Sequence, residues 1–396
     1  MKKASLTVIF LTVFIDLMGF GILIPILPTF ASKELGISDF GIGALIAIFS
    51  LIQFLFNPIL GRISDRIGRR PVILVSLLFT VTSYIIFSFS HTFLLLFFSR
   101  LLAGFGGSNI GVAQAYIADV TTKEERSKGM GMIGAAFGLG FVFGPLIGGL
   151  LSKYGYDVAG FGAAGFSFMA FLFAVFALPE SNLNKTVSKK FEIKLFDIKF
   201  TKRILKTPII GTMIVLFFII VFSMANIYGT FSIIAYKVYH FTDQEIGYLF
   251  GLIGIIGAVI QGGAIRYLSK KFKDKTLILF GTIFMTIGLG LIPYGQNFAG
   301  VAIIASVLAV GTGLLQPTIL SMVSRYSPDK EQGSILGLNQ SAASFARVLG
   351  PLWGGFSYDF FGYEAPFLTG AFFTLLTFLI ALILLNSKKL EQAAEA

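Results

Sequence analysis

The chain has 396 residues, of which 55% are hydrophobic and only 13% are charged, and it contains 45 phenylalanines but no cysteine. Soluble domains carry about a quarter charged residues. This composition therefore excludes an ordinary soluble enzyme, a disordered chain and a disulfide-stapled secreted module. The formal net charge of +11 would suit a nucleic-acid-binding protein, but the distribution of the basic residues, described below, indicates membrane topology instead.

Twelve apolar segments are long enough to cross a bilayer, which needs about 20 residues per helix. In chain order they are predicted at 6–28, 41–60, 71–90, 93–118, 129–151, 159–178, 208–233, 243–266, 276–295, 299–323, 333–357 and 363–386. They are continuous apolar runs, unlike the alternating strands of a membrane β-barrel. A polar stretch at 181–207 separates the first six from the last six. We expect it to be a cytoplasmic linker, with a short amphipathic helix around Phe191–Phe200 lying on the membrane surface.

The basic residues predict how the segments are oriented. With the N-terminus in the cytoplasm, 26 of the 31 lysines and arginines fall in inner loops or tails. The outer loops hold only Lys33, Lys153 and Lys237. Because cytoplasmic loops are enriched in basic residues, we expect both termini in the cytoplasm and a multi-pass protein of the cell's inner membrane. The lipid bilayer, and not nucleic acid, is the partner that this charge distribution indicates.

An internal repeat relates the two sets of segments. Gly-Pro-Leu-Ile-Gly-Gly at 144–149 matches Gly-Pro-Leu-Trp-Gly-Gly at 350–355, 206 residues later. Two similar six-helix bundles joined by a linker are the plan of alternating-access carriers. The sequence therefore predicts an all-α integral membrane protein of 12 transmembrane helices, with pseudo-symmetric bundles at 1–180 and 208–396.

A basic turn lies between the second and third predicted spans, where residues 61–71 read Gly-Arg-Ile-Ser-Asp-Arg-Ile-Gly-Arg-Arg-Pro. Any basic turn would satisfy the positive-inside rule, but this order closely resembles the signature loop of the major facilitator superfamily. The resemblance implies a cytoplasmic gate loop that holds the halves together when the carrier faces outward. Its residues would be Gly61, Asp65, Arg66, Gly68, Arg69 and Arg70. Asp119, at the inner end of the fourth span, is the expected partner of Arg66 or Arg69, and a solvated helix-end carboxylate is the alternative.

Two further patterns resemble helices of the same superfamily. Arg100 with Gly104 and Gly106 resembles its fourth-helix motif, R-x-x-x-G-x-G. The fifth-helix pattern of its antiporters, G-x8-G-x3-G-P-x2-G-G, is matched by Gly131, Gly140, Gly144, Pro145, Gly148 and Gly149. Glycines at this spacing let a neighbouring backbone approach closely, and Gly-Pro bends a helix. We expect this bent, close-packed helix to serve as a gate between the halves.

Asp16 is the carboxylate that we predict to carry a coupling proton. It lies ten residues into the first span, about 15 Å along the helix axis, where an ionisable group is costly and functional by default. Its surroundings resemble the first-helix motif of the drug:proton antiporter branch, through Gly19, Gly21, Pro25 and Pro28. The resembled families place this acid near the fourth-helix arginine, here Arg100. A static ion pair between Asp16 and Arg100 that only fixes the packing is the alternative.

Polar and aromatic side chains at mid-helix depth in both halves favour a shared central cavity for the substrate. For each of them the alternative is an ordinary interhelical hydrogen bond. Arg347 is the second deep cation, and it would bind either an anionic part of the substrate or carbonyls freed by the kink at Pro351. The predicted cavity residues are Gln53, Asn109, Gln114, Tyr116, Asn226, Tyr228, Tyr236, Gln261, Gln316, Asn339, Gln340 and Arg347.

The leading hypothesis is a monomeric secondary transporter that exchanges protons for an amphipathic or hydrophobic small molecule. The chain resembles the tetracycline-resistance and multidrug-efflux group, but 276–295 contains no carboxylate and 243–266 no histidine, as tetracycline carriers would have. Multidrug efflux is therefore favoured, with the proton gradient as energy source and no enzymatic activity, cofactor or metal. The alternatives are a proton-coupled importer or facilitator of a metabolite or sugar, a lipid or glycolipid flippase, and a non-transporting receptor.

Overall fold

The computed structural model describes residues 6–121, 126–182, 198–328 and 331–384, and within these ranges the regular structure is entirely helical. We call residues 6–182 the N half and residues 208–384 the C half. The helices of the N half are α1 (Leu6–Lys33), α2 (Asp39–Ile67), α3 (Arg69–Ser88), α4 (Phe93–Gly107), α5 (Ile110–Val120), α6 (Arg126–Leu151) and α7 (Tyr156–Ala177).

A short helix between the halves, α8 (Ile198–Leu205), precedes the C half. The amphipathic helix predicted around Phe191–Phe200 lies mostly outside the described residues. The helices of the C half are α9 (Pro208–Lys237), α10 (Asp243–Val259), α11 (Ile265–Lys271), α12 (Asp274–Leu291), α13 (Phe298–Tyr326), α14 (Gln332–Phe361) and α15 (Ala365–Leu384).

Eleven spans in the described part of the chain are long and apolar enough to cross a membrane. The remaining predicted span corresponds to α14, whose 30 residues extend about 45 Å but include more polar side chains. The all-α prediction is therefore confirmed, and the count of twelve crossings stays a prediction.

Two predicted spans are interrupted in the structure. The predicted helix 93–118 divides into α4 and α5, because the glycine-rich stretch before Ser108 tightens into turns with i to i+3 bonds. There the Asn109 amide donates to the Gly106 carbonyl at 3.2 Å. The predicted helix 243–266 contains a π-helical turn at Ile260–Ala264, where two adjacent glycines weaken the regular helix, and α11 then extends to Lys271.

Several helices begin at the same end of the bundle, each with a polar cap. The side chains of Ser38, Thr92 and Asn297 accept backbone bonds from the first turns of α2, α4 and α13. Thr242 and Glu245 form a reciprocal capping box at the start of α10. These caps satisfy amide groups that the helix itself leaves unpaired, so they determine where the chain enters the bundle at this end.

The two halves contact each other at that end and separate toward the other. A Cβ on Gly247 of α10 would lie 2.6 Å from the Pro145 carbonyl oxygen of α6, and Gly355 of α14 packs on the Asp39 backbone of α2. Further along the same helices, no atom lies within 4 Å of the Cβ positions of Gly131 and Gly337. We call the contacting end the closed end, and the end that carries the 61–71 turn the open end.

Candidate functional site

Asp16 lies inside the N half, with 8% of its surface exposed. The Ser167 hydroxyl of α7 donates to Oδ1 of Asp16 at 2.8 Å, and the side-chain amide of Asn109 donates to Oδ2 at 3.4 Å. Gly19, on the same helix, allows this contact because a Cβ at this position would crowd Ala163 and Ser167. The sequence predicted Asp16 and Asn109 as functional residues but not Ser167, which is a single hydroxyl in an apolar span.

Arg100 does not form the alternative ion pair with Asp16. Its guanidinium is 4% exposed and donates to the Ser99 hydroxyl at 3.1 Å. It lies over the rings of Tyr84 and Phe87, at 5.9 and 5.7 Å from their centroids. Cation–π contacts therefore hold the arginine on the α3 side of α4. Tyr84 is buried within electrostatic range of both charges, and sequence reasoning missed it.

The 61–71 turn is organised around Arg69, which is buried. Arg69 forms ion pairs with Asp65 at 2.6 Å and with Asp119 at 3.0 Å. It also donates to the Ser64 hydroxyl at 2.6 Å and to the Gly61 carbonyl at 3.4 Å. The expected pairing of Asp119 is thus confirmed for Arg69. All these partners belong to the N half, so in this conformation the named bonds of Arg69 do not join the halves.

Glu180 is a member of this cluster that sequence reasoning missed. Its carboxylate accepts from the backbone amides of Arg69 at 2.8 Å and Arg70 at 3.1 Å, which are the first residues of α3. A carboxylate at a helix N-terminus is favourable because it meets unpaired amides and the positive end of the helix dipole. Gly68 has φ +113°, and a Cβ there would collide with Glu180. Arg70 donates to the Val175 carbonyl at 2.7 Å, and Arg66 lies in the last turn of α2.

The packing of the α6 glycines differs from the expectation that the whole fifth-helix motif forms a gate between the halves. Three of them pack on α1 of the same half: Gly140 on Leu17, Gly144 on Gly21 and Gly148 on Ile22. Pro145 and Gly149 instead contact α10 of the C half through their backbones, and Gly131 has open space beside it. The motif therefore joins α6 to α1 along most of its length and meets the C half only at its closed-end residues.

A polar cluster at the closed end bonds one half to the other, and sequence reasoning missed it. The Lys237 ammonium of α9 donates to both carboxylate oxygens of Asp39, at 2.9 and 3.1 Å. The Asp359 carboxylate of α14 accepts from the amide of Asp39 at 3.2 Å and that of Phe40 at 2.9 Å. Nearby, the Tyr156 hydroxyl donates to the Asp243 carboxylate at 2.8 Å. These three sets of contacts join the N half to the C half at the closed end.

Arg347 lies in the middle of α14. Its guanidinium donates to the Ser344 hydroxyl at 3.0 Å, and it has no ion pair within the described ranges. The structure does not support the alternative in which kink carbonyls satisfy it, because the hydrogen bond we find goes to a side chain. Tyr228 of α9 lies within electrostatic range of Arg347.

The other predicted cavity residues separate into three groups. Tyr116, Asn226 and Asn339 are buried in the packing of their own halves, and Asn226 donates to the Pro366 carbonyl. Asn226 thus forms the interhelical hydrogen bond of the alternative, whereas the Tyr116 hydroxyl and the Asn339 amide have no hydrogen-bond partner in the described protein. Partly exposed residues include Tyr236, which packs on the C-half core, and Gln53, which donates to the Gly107 carbonyl at 3.0 Å. The exposed residues are Gln114, Gln261, Gln316 and Gln340.

A family model described as Major Facilitator Superfamily matches residues 9–273 and 264–396. The chain belongs to the Major Facilitator Superfamily. Multidrug resistance protein 1 of Bacillus subtilis is 30% identical over 360 residues, which are 90% of each chain. Tetracycline resistance protein, class B, of Escherichia coli is 28% identical, over 85% of this chain and 84% of the relative.

Solved structures of superfamily transporters share this fold. The human organic anion transporter MFSD10 (TETRAN) has a TM-score of 0.71 and 26% identity, covering 95% of this chain and 98% of that one. The nucleoside transporter NupG has a TM-score of 0.80 and 13% identity, covering 98% and 100%, and at this identity it shows the fold alone. The predicted superfamily is thus confirmed, and the protein is a multi-pass membrane transporter of a family that contains transporters rather than enzymes.

Proposed function

We propose that this transporter is a proton-coupled exporter of amphipathic or hydrophobic small molecules, working as a monomer in the cytoplasmic membrane. The observation that carries the proposal is Asp16, a buried carboxylate whose close partners, Ser167 and Asn109, are neutral. A buried charge without a cation is costly, and uptake of a proton removes that cost. Asp16 is thereby suited to exist in two protonation states within one packed site.

The conformation supports substrate entry from the cytoplasm. The basic 61–71 turn lies at the open end, and the positive-inside rule assigns such turns to the cytoplasmic side. With that orientation the space between the halves opens inward, as an exporter requires for loading. The named bonds of Arg69 within the N half, to Asp65 and Asp119, agree with a gate loop released from the C half.

The relatives described above favour efflux, since they are named as a multidrug resistance protein and a tetracycline resistance protein. The absence of a carboxylate in 276–295 and of a histidine in 243–266 favours multidrug efflux over a tetracycline carrier. Export is driven by the proton gradient: Asp16 gains a proton from outside, releases it inward and the site then rebinds substrate.

The test is substrate-triggered proton release from purified protein in weakly buffered detergent, followed with a pH indicator. The probes are ethidium, tetracycline, a panel of lipophilic cations and 2-naphthalenesulfonate. Wild type is compared with Asp16→Asn and with Asp157→Asn, which removes an exposed carboxylate from the same half. We expect release from wild type and Asp157→Asn, and none from Asp16→Asn.

Other outcomes would reject parts of the proposal. Equal release from all three proteins would assign the coupling proton to another residue. Binding of a probe without any release would reject antiport and favour a facilitator or a flippase, which flipping of headgroup-labelled lipid would then identify.

A further inference from the structure

Arg347 is a cation that the protein leaves without a counter-charge. Its guanidinium has five N–H donors, and the structure gives it one hydrogen bond, to the neutral Ser344 hydroxyl. No carboxylate of the described chain lies within ion-pair distance of it, whereas Arg203 and Arg325 each have one such partner and Arg69 has two. A cation inside a membrane protein normally pairs with an acid or with backbone carbonyls. Arg347 therefore has free capacity for an anion.

The position of Arg347 on α14 directs it into the space between the halves. One face of α14 packs on α9 through Gly350 and Gly354, and the next face packs on α2 through Pro351 and Gly355. At about 100° per residue, Arg347 projects between these two faces. It stands one turn from Pro351 toward the open end. Gln340, two turns further on the same side, is exposed.

An aromatic cluster of the N half lies at a similar depth. The Phe20 ring stacks on Phe49 with centroids 5.3 Å apart and meets Phe141 edge-on at 6.0 Å. The closed-end contact of Gly43 with the Pro351 carbonyl gives a common reference point. Phe49 is six residues, about 9 Å, from Gly43, and Arg347 is four residues, about 6 Å, from Pro351, both toward the open end.

We infer that Arg347 binds the anionic group of an amphipathic organic anion, whose apolar body packs against the cluster of Phe20, Phe49 and Phe141. The inference rests on the proposed transport function and specifies its substrate class. Guanidinium is suited to this task because its planar fork binds carboxylate, sulfonate or phosphate through two bonds. The Tyr228 hydroxyl, near Arg347 and without a hydrogen bond to the described protein, is available as a further donor.

The test compares ligands with one ring system and different charge. Binding of 2-naphthalenesulfonate, 2-naphthalenesulfonamide and 2-naphthylmethylammonium to the purified full-length protein is measured by isothermal titration in a non-ionic detergent. The variants are Arg347→Gln and Arg347→Lys. The control is Arg325→Gln, which removes an exposed arginine of the C half that pairs with Asp274.

We expect wild type and Arg325→Gln to prefer the sulfonate over both analogues. Arg347→Gln should weaken sulfonate binding about 10- to 100-fold, as expected for loss of a charge-assisted, two-bonded contact, and leave the sulfonamide nearly unchanged. Arg347→Lys should recover part of the affinity. Competition by dihexanoylphosphatidylglycerol that Arg347→Gln abolishes would identify a lipid phosphate as one source of the anion.

The inference is overturned if the ammonium ligand binds as tightly as the sulfonate, if Arg347→Gln leaves sulfonate affinity unchanged, or if none of the ligands binds wild type. These results are independent of proton release. If wild type shows no preference for the anionic ligand but still releases protons from Asp16, the substrate class is rejected and the proposed antiport stands.

Discussion

The ion pair between Asp39 and Lys237 leads to a quantitative prediction about the conformational equilibrium. It joins α2 of the N half to α9 of the C half at the closed end. Asp39→Asn should therefore destabilise the conformation described here relative to the one in which the closed end separates.

The size of the effect follows from the geometry. Two unit charges 2.9 Å apart attract by about 6 kcal/mol at an effective dielectric constant of about 20. Desolvation of Asp39, whose side chain is 6% exposed, and solvent screening at Lys237, which is 37% exposed, offset most of this attraction. A net contribution of about 1–2 kcal/mol remains. The equilibrium between the two conformations should then shift by about 5- to 30-fold.

The assay uses distances between pairs of spin labels, and the absence of native cysteine makes site-specific labelling simple. Tyr154→Cys with Phe360→Cys reports on the closed end, and Ile67→Cys with Tyr267→Cys on the open end, because all four side chains are exposed. In Asp39→Asn we expect longer closed-end distances and shorter open-end distances to gain population together.

A matched control is Asp274→Asn, which breaks the ion pair with Arg325 inside the C half. It should leave both distance distributions unchanged. The double variant Asp39→Asn/Lys237→Gln should shift the equilibrium by less than the sum of its single changes, since both remove one interaction. The reasoning fails if Asp39→Asn matches wild type, or if Asp274→Asn shifts the populations equally.

Four further substitutions test helix packing, a charged helix cap and an ion pair, and thermal unfolding in detergent measures each. Gly144→Ala places a Cβ 2.5 Å from the backbone of α1 and should lower the free energy of unfolding by about 1–3 kcal/mol. Gly131→Ala, which has open space beside it, should leave the stability unchanged or raise it. Equal melting temperatures for the two variants would contradict this prediction. Glu180→Gln weakens the charged cap of α3 and should cost about 1–2 kcal/mol. Asp119→Asn should cost about 1 kcal/mol, because Arg69 keeps one other acidic partner.

The features that the sequence predicted well are those encoded locally. Long apolar runs require helices in a bilayer whatever their neighbours are, so the spans were found to within a few residues at most boundaries. The pairing of Arg69 with Asp119 was predictable because a basic turn and a helix end on the same side of the membrane bring opposite charges together. The breaks within two spans were missed because isolated glycines are tolerated in helices, and their effect depends on packing.

The closed-end cluster could not be predicted in this way. Asp39, Lys237 and Asp359 are far apart in the sequence, and each has the pattern of an ordinary loop-side charge at a helix end. Their meeting depends on how closely α2 and α14 approach, which Gly43 and Gly355 allow. Glu180 is a similar case, since a carboxylate beyond the end of α7 caps a helix more than a hundred residues earlier.

The partners of Asp16 depend on the interruption between α4 and α5. In a continuous helix, Arg100 and Asn109 would be nine residues apart, two and a half turns, and would project in opposite directions. The tight turns at Gly106–Asn109 change that relation: Asn109 reaches Asp16, while Arg100 stays among the aromatic rings of α3. The interruption is therefore what brings the Asn109 side-chain amide to the Asp16 carboxylate. Hydroxyl and amide groups are then what contact Asp16, and a carboxylate with neutral partners is what the proposed proton coupling requires.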